Sequence, residues 1–113
     1  MTKILHKSDI NTLTKNPDNE KINLFMQYFI PDNNERLNEL KQTMLFNCKN
    51  KSIDHIYLLN EKYYKKNELG IQRAGKNEYM KVIQKDISKR LSFKLLFDFV
   101  KSNNIEGYIV IAN

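Results

Sequence analysis

Four short apolar runs punctuate the chain, and the spacing between them limits what it can fold into. Residues 22–30 read INLFMQYFI, an almost unbroken apolar stretch closed by Pro31-Asp32. Residues 53–61 read IDHIYLLNE, with residues 56–59 as the apolar middle, and residues 80–86 read MKVIQKD, weaker and alternating. The last run, YIVIA, follows Gly107. Apolar runs of this length suit strands covered on both faces, as in parallel sheets, and the alternating third run suits a strand nearer an edge.

Two helical patterns lie between these runs. After the first, Leu37, Leu40, Met44 and Cys48 recur at spacings of three and four, with Leu45 beside them. They form one apolar stripe on a helix of about four turns. Asp32 and Glu35 make a D-x-x-E capping pattern at its start. The basic, polar residues 47–52 suit its negative end. Before the last run, KRLSFKLLFDFVKSNN carries Phe93, Leu96, Phe97 and Val100 on one stripe, widened by Leu95 and Phe99, with Ser92 as N-cap.

Residues 62–79 show no sustained period and hold two of the three glycines, so a loop with one short helix near residues 63–69 is expected. The order is β-α-β-loop-β-α-β. It predicts an α/β domain, a small Rossmann-like, mainly parallel four-stranded sheet with flanking helices, over residues 22–113. Residues 1–21 are polar and aperiodic, with a turn signal at Asn16-Pro17-Asp18-Asn19, and read as an N-terminal arm with one helical turn near residues 10–13.

Composition narrows the class further. At 113 residues the chain holds one domain, and its 41% hydrophobic content is ordinary for a globular protein. It has no apolar run of transmembrane length and no secretory h-region, and one cysteine, Cys48, excludes an internal disulfide. A cytoplasmic compartment is the expectation. The net charge of +6 favours polyanions, but 16 of the 19 basic residues are scattered lysines and only three are arginines. A solvated lysine surface is the expected reading over a nucleic-acid face, with a basic nucleic-acid binder kept as the weaker alternative. The abundance of Lys, Asn and Ile fits an AT-rich coding bias.

Known nucleotide and metal fingerprints are absent: no G-x-G-x-x-G, G-x-x-x-x-G-K-[ST], H-E-x-x-H or C-x-x-C occurs. His6 and His55 are isolated and read as surface or packing residues. In a parallel sheet the ligand site lies beyond the carboxyl ends of the strands. That rule gathers residues 28–32, Asn60-Glu61, residues 86–90 and Asn113. Glu61 is either an acceptor for a ribose or base edge or a solvated turn residue. Arg90 is either a diphosphate partner beside a helix amino end or a helix-flanking charge. Tyr63-Tyr64 with Lys65-Lys66 either stack on a base or pack the loop.

Taken in order, residues 22–47, IDHIYLLNE, KRLSFKLLFDFV and YIVIAN resemble glycosyltransferase-like proteins of large DNA viruses, phages and some bacteria, of the GT-A nucleotide-diphospho-sugar transferase class. The likeness rests on QYF-P-N-ER, LLNE, RLSF-K and IAN. It implies a nucleotide site at Gln27, Tyr28, Asn60, Glu61, Arg90 and Asn113, and a nucleotide-sugar as ligand. It also implies that the strand ending at Asn113 leads into a short acidic motif, S-D-I or D-x-D, holding a divalent metal, Mn or Mg. On that basis the chain is expected to be the amino-terminal half of such an enzyme or a shortened relative, inactive alone, in host cytoplasm or virion. The other expectation is a non-enzymatic structural or assembly protein whose unfinished sheet is covered by a second copy or a protein partner.

Overall fold

The computed structural model describes residues 2–6 and 21–112. The helical turn expected near residues 10–13 and the terminal Asn113 lie outside the described residues. Five strands are present: β1 (Thr2–His6), β2 (Ile22–Met26), β3 (His55–Asn60), β4 (Val82–Asp86) and β5 (Tyr108–Ala112). They form one sheet in the order β1-β5-β2-β3-β4. The four strands from β5 to β4 are parallel, as expected, and β4 sits at an edge.

β1 departs from the expectation of a polar arm. It pairs antiparallel with β5, Thr2 opposite Ala112 and His6 opposite Tyr108. β5 therefore lies inside the sheet and leaves no unpaired edge of its own. Gly107 opens it with φ 94°. A Cβ at that position would collide with the carbonyl oxygen of Lys21, which accepts the Tyr108 amide at 2.7 Å. Only glycine combines that backbone angle with so close an approach.

Two cores flank the sheet because successive strand residues point to opposite faces. Leu24, Met26, Ile56 and Leu58 face one side, where Met44 and Cys48 of α1 (Asn34–Lys49) close over them. Phe25, Leu59, Ile109 and Ile111 face the other, under Leu96 and Val100 of α4 (Phe93–Ser102). Phe25 stacks on Tyr57 at 4.7 Å between centroids and meets Phe99 edge-on at 6.3 Å. Burial of these side chains supplies the main driving force, about 1.5–3 kcal/mol for each large one.

Local signals account for most element ends. The cap of α1 is Asn33, one residue beyond the expected Asp32; its side chain accepts the Arg36 amide at 3.0 Å. Ser92 caps α4 as expected, accepting from the Leu95 amide at 3.2 Å. Residues 62–79 form two single-turn helices, α2 (Lys66–Leu69) and α3 (Lys76–Tyr79). Glu68 and Glu78 reach back to the amides of Lys65 and Gly75, each at 2.8 Å, and steady both turns.

Candidate functional site

Two of the three crossovers, those through α1 and α4, lie on opposite faces of the sheet. From β2 the chain passes through α1 to β3, whereas from β4 it passes through α4 to β5 on the other side of β2. β2 and β5 are thus neighbours whose connections diverge, and a crevice opens beyond their carboxyl ends. A cleft of about 830 Å³ occupies this place. Gln27, Tyr28 and Phe29 line it from the loop after β2, Ile111 and Ala112 from β5, Glu61 and Tyr64 from the loop after β3, and residues 90–93 with Leu96 from α4 and its approach. Its volume falls within the roughly 300–1,000 Å³ of small-molecule sites.

The end of β2 explains one wall. The strand stops at Met26, although the apolar run continues to Ile30. Tyr28 is buried beneath the loop, its hydroxyl donating to the Glu68 carbonyl at 2.7 Å. Its ring meets Tyr64 edge-on at 5.2 Å. Burial, then the neighbouring Tyr64 and Glu68, raise the Tyr28 phenol above its usual range. Burial, then Glu61 and Glu68, raise Tyr64 likewise. Both remain protonated at neutral pH and act as neutral wall residues.

Of the residues expected in a site, Gln27, Tyr28, Glu61 and Arg90 line the cleft together. Glu61 and Arg90 are exposed, and neither forms an ion pair or hydrogen bond among the described residues. Asn60 does not line it. It is fully buried; its Oδ1 accepts the Tyr28 amide at 2.6 Å and its Nδ2 lies 3.4 Å from Gln84 Oε1. Its side chain links the loop after β2 to the middle of β4 and has no face for a ligand. Asn113 lies outside the described residues.

Other sequence candidates resolve differently. Tyr63 is 70% exposed and lies outside the cleft lining, while Lys66 sits 3.4 Å above the Tyr79 ring. Of the Tyr-Tyr-Lys-Lys cluster only Tyr64 is buried and reaches the cleft. His55 lies at the amino end of β3, its Nδ1 3.3 Å from Asn23 Oδ1, at the opposite end of the strands from the cleft. Cys48 is buried, and desolvation pushes its thiol up to about 11.

Sequence reading missed two contributors. Phe93 belongs to the expected core stripe, yet it is 50% exposed and lines the cleft at the first residue of α4. Gln84 braces the cleft floor: its side chain accepts the Tyr64 amide at 3.0 Å and donates to the Tyr64 carbonyl at 2.7 Å. No local pattern marks a glutamine in an alternating strand for that role.

A divalent metal finds no cage here. Glu61 is the single carboxylate among the cleft-lining residues, and no three His, Cys, Asp or Glu side chains gather among the described residues. Mg and Mn favour several oxygen ligands including carboxylates, so the described residues do not fit one. No helix among the described residues is long and apolar enough to cross a membrane. Comparisons of the chain with protein-family models, curated proteins and solved structures give no match.

Proposed function

We propose that this chain is a nucleotide-binding α/β domain of the glycosyltransferase-like kind, whose cleft takes a nucleoside diphosphate or its sugar conjugate. The observation that carries this reading is the pairing of opposite roles in one crevice. Glu61, an unspent acceptor, and Arg90, an unspent cation, line the same cleft where the crossovers diverge. Glu61 suits ribose hydroxyls, which donate; Arg90 suits phosphate oxygens, which accept. The half-exposed ring of Phe29 offers a flat apolar face for a base.

Magnitudes set the expected strength. A single cation–anion contact at 4 Å contributes ~1 kcal/mol in water and ~4 kcal/mol at a partly screened surface. The cleft is open, so binding belongs in the range of about 0.1–1 mM. Isothermal titration with UDP, GDP, uridine and guanosine tests the reading. Heat from the diphosphates with none from the nucleosides is expected. No heat from any of the four rejects it.

A second reading has its own observation. With β5 covered by β1, the open parallel edge is β4, flanked by exposed Met80 (60%), Ile83 (38%) and Tyr63 (70%). An unpaired edge beside apolar side chains suits a protein partner or a second copy. Light scattering that finds dimer, lost on Ile83→Lys, supports this reading; monomer at all concentrations counts against self-association.

A further inference from the structure

The anion-facing side of the cleft is built around a held arginine. Arg90 sits on the loop between β4 and α4, and that loop is tied at each step. The Ile87 amide donates to the Asn60 carbonyl at 2.8 Å. The Asp86 carboxylate accepts from the Ser88 amide at 2.8 Å and the Ser88 hydroxyl at 2.9 Å. Ser88 takes φ 55°, a left-handed angle uncommon for a residue other than glycine, and the Asp86 bonds hold it there. Gln27 Nε2 donates to the Lys89 carbonyl at 2.8 Å, which fastens the loop to the end of β2.

This loop ends in a guanidinium with no ion pair or hydrogen bond among the described residues. The opposing carboxylate, Glu61, stands alone and cannot build a cation cage. A phosphate entering the cleft therefore meets a planar cationic fork whose backbone is fixed before binding. Bidentate contact with phosphate is what that fork does best, and a braced loop loses little freedom on making it.

Resting on the nucleotide reading above, we propose that the cleft binds the phosphate part of its ligand directly on Arg90, with no divalent cation between protein and phosphate. Gln27 is the positioning residue: it touches the loop through Lys89 and sets where Arg90 stands. This differs from the metal-bridged diphosphate that the resemblance in the sequence implies.

The test is titration of the whole chain with UDP in EDTA and in Mn²⁺, for the wild type, Arg90→Gln and Gln27→Ala. Amide NMR spectra check that each variant keeps the fold. Affinity in EDTA within about twofold of that in Mn²⁺ is expected, weakening as salt screens the contact. Arg90→Gln should lose about tenfold in both media. Gln27→Ala should lose a smaller factor, with the Lys89 and Arg90 amides shifted before ligand is added. Binding seen only with Mn²⁺, or an Arg90→Gln variant that binds like wild type, overturns this proposal and leaves the nucleotide reading standing. No binding in either medium removes both.

Discussion

The Tyr28 amide donates to the Asn60 side-chain oxygen at 2.6 Å, and both residues are buried. β2 has ended two residues earlier, so this amide has left the ladder and takes a side chain as its partner. Asn60 also reaches toward Gln84 on β4. One asparagine at the end of β3 thereby links the loop after β2 to the middle of β4.

Removing that side chain should be costly. Asn60→Ala leaves the Tyr28 amide buried and unpaired and opens a small void, a loss of about 2–4 kcal/mol. Thermal unfolding should show a fall of roughly 10–20 °C in Tm for a domain of this size. A loss within error would mean that the Tyr28 amide finds another partner.

Gly107 makes a second stability prediction at the other end of the sheet. Its left-handed φ and its approach to the Lys21 carbonyl leave no room for a methyl group. Gly107→Ala should cost about 1–3 kcal/mol, read by urea titration as a lower midpoint with unchanged slope. Gly75→Ala serves as control, since a Cβ there meets only the Glu78 carboxylate at ordinary contact distance.

Cys48 sets an alkaline limit. Burial raises its thiol from 9.0 to about 11, so folding favours the protonated form. The resulting stability is fully present below pH 9 and is lost as pH rises through 11. Denaturant midpoints measured from pH 8.5 to 11 should therefore fall, and Cys48→Ala should remove part of that slope from a lower starting stability. A thiol reagent at pH 8 should label Cys48 only as fast as the domain opens.

In the proposed nucleotide reading Glu61 would meet the ribose. Glu61→Gln should weaken UDP by about tenfold and leave a dideoxy analogue little changed, because only the former offers ribose hydroxyls. Equal losses for both would move Glu61 away from the ribose.

The framework was legible because it is written in periodicity. Leu37 to Cys48 and Leu96 to Val100 carry helical spacing, and the runs at Ile22, Ile56 and Ile109 carry strand texture. β1 was not legible: TKILH is short, half polar, and gains its order only from pairing with β5 at the far end of the chain. The run from Ile22 to Ile30 read as one long strand because a buried tyrosine under a loop leaves the same apolar trace as one on a strand.

In the site, Tyr28, Glu61 and Arg90 follow from a simple rule, that strand ends face the crevice, whereas Gln27 enters only through the family resemblance. Asn60 obeyed the same rule in sequence yet turned inward, because a buried amide two residues past β2 needed an acceptor. That demand arises from three strands together and has no signature within any one of them. Phe93 sits on the expected helical stripe, but as the first residue of α4 it lies at the cleft and stays half exposed.

The account rests on Gln27, Glu61 and Arg90 sharing one ligand-binding crevice. Amide chemical-shift mapping on titration with UDP tests this most directly. The account predicts that saturable shifts gather at Gln27, Tyr28, Glu61, residues 89–93 and Ile111. Shifts centred instead on Tyr63, Lys66 and Tyr79, or none at millimolar UDP, would contradict it.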